Sequence, residues 1–120
     1  MHLEDILSSI LLIESFLEGF AYAQYASDAK TQAAVERHLQ IITEAAYRLG
    51  DEAEIICPGP DWVAYRGMGN ILRHAYHRVQ NEVVWDTVKI DLPESKRDVE
   101  FALKNPVSYT HLTLPTNREV

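Results

Sequence analysis

Leu3, Ile6, Leu7, Ile10, Ile13, Phe16, Leu17 and Phe20 fall at steps of three and four residues. An α-helix turns once every ~3.6 residues, so this spacing gathers apolar side chains on one face. It predicts an amphipathic helix from about Leu3 to Ala26. Ser27-Asp28 then offers a turn and an N-cap. A second helix follows from Thr31 to Leu49, with Val35, Leu39, Ile42, Ala46 and Leu49 lining one face and Ala34, His38, Ile41 and Ala45 beside it. Gly50 fits a C-cap. Residues 51–61 read as a connector, because Cys57-Pro58-Gly59-Pro60 cannot continue a helix. Asp61 is a good N-cap for a third helix from Trp62 to about Val79. Gln80-Asn81-Glu82 reads as a short polar turn, and a fourth helical region begins near Val83, kinked or split at Pro93. No segment alternates with period two. The expected class is all-α, an antiparallel up-and-down bundle of four to five helices.

A chain of 120 residues is expected to form one domain. No apolar run approaches the ~20 residues of a membrane span, and Met1-His2-Leu3-Glu4-Asp5 lacks the basic start of a secretory signal. The single Cys57 leaves no internal disulfide framework and no multi-cysteine zinc site. A cytoplasmic protein with no membrane partner is the expectation. The net charge of −7 bears on partners. Nonspecific nucleic-acid binders are basic, because phosphate neutralisation supplies most of their affinity. No DNA partner is expected here, and any contact with RNA needs local positive charge or help from a partner.

Residues 107–120, Val107-Ser108-Tyr109-Thr110-His111-Leu112-Thr113-Leu114-Pro115-Thr116-Asn117-Arg118-Glu119-Val120, break from the helical pattern. They resemble the read-through of a sequencing adaptor, VSYTHLTLPT. The domain is therefore taken as residues 1–106, with its natural continuation cut near Asn105 or Pro106 and 107–120 as a non-native tail. Tyr109 and His111 are not recruited into any site.

On a helical wheel of residues 62–79, Ala64, Met68, Ile71, Leu72, Ala75 and Val79 gather as the expected core face. Arg66, Asn70, Arg73 and His77 form a stripe opposite, flanked by His74 and Tyr76. Gly67 and Gly69 also flank it, where another backbone can come close. RNA cleavage without metal needs a base for the 2′-hydroxyl proton, an acid for the leaving 5′-oxygen and a cation for the phosphate. His74 has the ordinary pKa for proton transfer near neutrality. Arg66 or Arg73 can hold a phosphate through two donors at once. Asn70 can orient a phosphate oxygen or the imidazole. A two-fold dimer bringing two such helices together makes a more complete site. The plain alternative is that the stripe is only the solvated side of an amphipathic helix. His38 reads as a packing or surface hydrogen-bonding residue, and Cys57 as incidental. Glu36 and Glu44 are candidates to pair with the Arg stripe.

Residues 3–105 resemble the HepT-like toxin family of the HEPN superfamily. The similarity runs through Arg37-His38-Leu39-Gln40-Ile41-Ile42-Thr43-Glu44-Ala45-Ala46, then Gly67-Met68-Gly69-Asn70-Ile71-Leu72-Arg73-His74-Ala75-Tyr76, then Trp85-Asp86-Thr87-Val88 and Asp91-Leu92-Pro93. The family's motif is an Arg, four to six residues, His, any residue and Tyr. His74 and Tyr76 match it. The aligned Arg position holds Gly69, while Arg66 is separated from His74 by seven residues and Arg73 lies beside it.

The resemblance implies a homodimer with facing motifs and a metal-independent endoribonuclease that needs no cofactor, cleaving tRNA or mRNA as the toxin of a type VII toxin–antitoxin pair. It also implies a cognate minimal nucleotidyltransferase antitoxin that silences the toxin by transferring AMP to Tyr76. The expected roles are His74 as acid/base, Arg66 or Arg73 as phosphate clamp and Asn70 as orienting group. The competing expectation, prompted by Gly69, is a catalytically degenerate helical dimer that serves as a binding module for a nucleotidyltransferase.

Overall fold

Ile6, Ile10 and Ile13 lie buried along one side of the first helix, α1 (His2–Phe16), as their spacing requires. The computed structural model describes residues 2–74 and 79–106, with side chains for 2–73 and 81–106. The proposed tail, including Tyr109 and His111, lies outside the described residues. Among the described residues the regular structure is helical, without strands.

The first helix is shorter than its periodicity suggests. Gly19 adopts φ +80°, a left-handed conformation that glycine takes without steric cost, and Ala21 is extended. A short helix, α2 (Tyr22–Ala26), then starts with the Gln24 side-chain oxygen accepting from the Ala21 N–H at 2.6 Å. Leu17 and Phe20 still pack on the core through this break, so the apolar spacing survives although the helix does not.

The central helix is α3 (Ala29–Leu49). Asp28 caps it as expected, its carboxylate accepting from the Thr31 N–H at 3.1 Å and the Thr31 hydroxyl at 2.9 Å. Gly50 closes it at φ +57°, its N–H donating to the Ala46 carbonyl. Val35, Leu39, Ile42 and Ala46 are buried against α1 and the helices that follow. Full burial of a Val, Leu or Ile side chain stabilises by roughly 1.5–3 kcal/mol.

The connector holds one more turn of helix, α4 (Glu52–Ile56), anchored by buried Ala53. Asp61 accepts from the Ala64 N–H at 3.0 Å and starts α5 (Trp62–His74). The polar segment expected to turn at 80–82 is instead helical within α6 (Val79–Asp86). Glu82 is exposed and Asn81 half-buried, while Val84 is buried. A π-helical turn, Thr87–Asp91, leads into α7 (Leu92–Lys104) without a break in helical backbone. Pro93 has no N–H for the carbonyl of Lys89, and the wider turn before it places that defect where the helix changes register. The chain neither splits nor reverses there.

Helix α3 packs between α1 and α5, and α7 lies along α1. Lys96 of α7 reaches Glu14 of α1 at 3.1 Å. Among the described residues, no helix is long and apolar enough to cross a membrane.

Candidate active site

Helix α5 is fixed along one face by four contacts. Trp62 is buried and its indole N–H donates to the Cys57 carbonyl at 2.8 Å, which ties the helix start to the Pro-Gly loop. One turn on, the buried Tyr65 hydroxyl and Ser95 of α7 share a hydrogen bond of 2.6 Å. Burial pushes the Tyr65 phenol up to about 12, so it stays a neutral partner. Arg66 donates to the Gly50 carbonyl at 3.3 Å and meets the Glu54 carboxylate of α4 at 3.4 Å. Gly69 is buried against α3, where a Cβ would stand 3.2 Å from Thr43 Oγ1 and 3.3 Å from its Cβ.

This rotates α5 relative to the expected wheel. Its core face is Trp62, Tyr65 and Gly69, with Leu72 half-buried. Ala64 and Ile71, expected inside, are exposed, and Met68 is half-buried. Two indole and phenol rings carry far more apolar area than alanine, and they win the core position. The spacing of 62, 65, 69 and 72 was present in the sequence but was hidden by a glycine at its centre. Gly69 does allow the close approach expected of it. Gly67 has nothing within 4 Å of a Cβ. Ala75 and the side chain of Val79 lie outside the description.

Of the candidate site residues, Asn70 and Arg73 come together. The Arg73 guanidinium donates to the Asn70 side-chain oxygen at 2.6 Å, and both residues are exposed. Arg73 Nη1 also lies 3.5 Å from where a Gly69 Cβ would be. Arg66 does not join them, being drawn toward α4 with 22% of its side chain exposed. His74 is the last described residue of α5, and its backbone is one residue beyond Arg73. The His74 side chain, Tyr76 and His77 lie outside the described residues.

The remaining candidates settle simply. Glu44 pairs with Arg48 in its own helix at 3.2 Å. Arg66 takes Glu54 rather than Glu36 or Glu44, because α4 sits beside it. His38 hydrogen-bonds Ser9 at 3.1 Å and packs on Phe16, as a packing histidine should. Cys57 is buried, and burial aided by the Asp98 charge pushes its thiol up to about 11. That suppresses the thiolate a nucleophile needs.

A cleft of about 210 Å³ lies on the other side of α5, lined by Asp61, Asp91, Glu94 and Asp98 around Tyr65 and Ser95. Four carboxylates there repel phosphate. The surface of α5 that suits an anion is therefore the Asn70–Arg73 turn. Sequence reasoning missed the Thr43–Gly69 and Tyr65–Ser95 contacts, since each joins residues distant along the chain.

Comparison with known proteins places the sequence among ribonuclease relatives. The family described as Ribonuclease HepT-like matches residues 6–102. A Thermococcus cleftensis protein named "Probable ribonuclease HepT" is 38% identical over 99 residues, covering 82% of this chain and 90% of that protein. A Methanocaldococcus jannaschii protein, provisionally named an RNase, is 32% identical over 99 residues, covering 82% and 91%. No solved structure matches significantly. With the family pattern spanning most of α1 through α7, the chain belongs to the HepT-like ribonuclease family.

Proposed function

We propose that this protein is a metal-independent endoribonuclease and the toxin of a type VII toxin–antitoxin pair. The observation that carries the reading is the Asn70–Arg73 pair, exposed on α5 and adjoining His74, in a chain of the HepT-like family. In the cleavage step the 2′-oxygen attacks phosphorus and forms a cyclic phosphate. The bond from phosphorus to the 5′-oxygen breaks. One imidazole takes the 2′-hydroxyl proton and a second acid protonates the leaving 5′-oxygen. A two-fold dimer supplies a His74 for each transfer. Arginine balances the charge that develops on the phosphoryl oxygens.

Exposed apolar residues on α5 favour such a dimer. Val63 is 69% exposed and Ile71 47% exposed, on either side of open Gly67. Burying them against a second α5 brings two copies of Arg73 and His74 to one seam. The antitoxin is a minimal nucleotidyltransferase, and Tyr76 is its target. AMP at that position places negative charge where substrate phosphate must sit.

Induction of wild type and of His74→Ala in bacteria tests the toxin role. Growth arrest by wild type alone, with both proteins dimeric by light scattering, is the expected result. Absence of arrest by wild type, with a nucleotidyltransferase still bound tightly, favours the binding-module reading that Gly69 suggests.

A further inference from the structure

We propose that Arg73, not Arg66, holds the scissile phosphate, and that Gly69 is what makes room for it. The inference rests on α5 being the RNA site. The motif arginine aligns with position 69, just before Asn70, yet a Cβ there meets Thr43 Oγ1 at 3.2 Å and Thr43 Cβ at 3.3 Å. The second of these atoms is attached directly to the α3 backbone, so it yields only if the helix does. A side chain at 69 therefore requires Thr43 and α3 to give by a few tenths of an ångström, which the close packing of α3 and α5 opposes.

The cation comes from one turn later instead. Residues four apart share a helix face, and Arg73 Nη1 stands 3.5 Å from the position of the missing Cβ. Its guanidinium thus covers the ground from which a residue-69 side chain would project. Asn70 fixes the planar group by accepting from Nη2 at 2.6 Å. A guanidinium has five N–H donors, more than one amide oxygen can use, and its fork matches two phosphate oxygens. Arg73 is exposed, as a phosphate-binding group must be.

Arg66 is committed elsewhere. Its contacts with the Gly50 carbonyl and the Glu54 carboxylate join α5 to the end of α3 and to α4. The carboxylate offsets its charge. Arg66 is a strut between helices.

The test uses the full chain and a fluorescent 2′-O-methyl oligoribonucleotide, which offers phosphates but no 2′-hydroxyl to attack. Dissociation constants and thermal melts are measured for wild type, Arg73→Gln, Arg73→Lys and Arg66→Gln, alongside cleavage of the ribose version. Arg73→Gln is expected to weaken binding about tenfold or more while melting like wild type. Arg73→Lys falls between the two, having charge without the fork. Arg66→Gln lowers the melting temperature and changes affinity less than about threefold, the modest effect of losing one long-range charge.

The proposal is overturned if Arg73→Gln binds like wild type, if Arg66→Gln loses as much affinity, or if wild type does not bind the oligonucleotide. Binding that depends on Arg73 in a protein that cleaves nothing supports the clamp and rejects the nuclease reading. Cleavage by wild type that survives Arg73→Gln with unchanged affinity rejects the clamp and leaves the nuclease reading intact.

Discussion

Thr43 of α3 stands where a side chain on Gly69 of α5 would begin, 3.2 Å from the missing Cβ. Two opposing effects follow for Gly69→Ala. Alanine improves helix propensity by about 1 kcal/mol, while overpacking a tight contact costs about 1–3 kcal/mol. Thr43 is buried and its hydroxyl is held by the Gln40 carbonyl at 3.0 Å, so it yields poorly. Gly69→Ala should therefore lower the melting temperature by a few degrees. Thr43→Ala removes the nearer atom and should recover part of that loss, a coupling visible in a double-mutant cycle. Additive losses would mean that the two residues do not constrain each other.

The same contact predicts that restoring the motif arginine fails. Gly69→Arg should be less stable than Gly69→Ala, and adding it to Arg73→Gln should not restore binding of the 2′-O-methyl oligonucleotide. A stable Gly69→Arg protein with restored binding would show that α3 moves aside readily.

Tyr25 is fully buried, and its hydroxyl has no hydrogen-bond partner among the described residues. Burial, with the Glu36 charge nearby, raises its pKa and keeps the phenol neutral. Its ring is held by Trp85, with centroids 5.5 Å apart. Tyr25→Phe keeps the ring and deletes the unmet group. It should stabilise the fold by about 1 kcal/mol, read as a higher urea midpoint. A lower midpoint would reveal a partner for the hydroxyl.

Glu36 is half-buried, and burial raises its pKa above the ordinary 4.5. The folded state then holds the proton more tightly than the unfolded chain. The stability that this contributes is complete below the unfolded-state value and is lost as pH rises through the folded value. Glu36→Gln removes the dependence. Its melting temperature relative to wild type should rise between about pH 4 and pH 7. A constant difference across that range would contradict the burial effect.

Much of the frame was legible in the residues, and each failure has a physical cause. Asp28, Gly50 and Asp61 end or begin helices through local hydrogen bonds, so the sequence near each one suffices. Apolar spacing placed Ile6, Ile10, Ile13, Val35, Leu39 and Ile42 inside. The break at Gly19 was invisible because Leu17 and Phe20 keep packing through it. The wheel of α5 came out rotated because Trp62 and Tyr65 are anchored by Cys57 and Ser95, and because a buried glycine carries no hydropathy signal. Arg66 and Arg73 looked equivalent until the fold put Glu54 beside one and Gly69 beneath the other.

The most direct test of the central claim incubates purified protein with tRNA and total RNA in EDTA, wild type beside His74→Ala. Loss of a general acid/base typically costs about 10²–10⁴-fold in rate. Cleavage by wild type, reduced by that order in the variant, is the predicted result. Equal rates for the two proteins, or intact RNA with both, would contradict a metal-independent ribonuclease centred on His74.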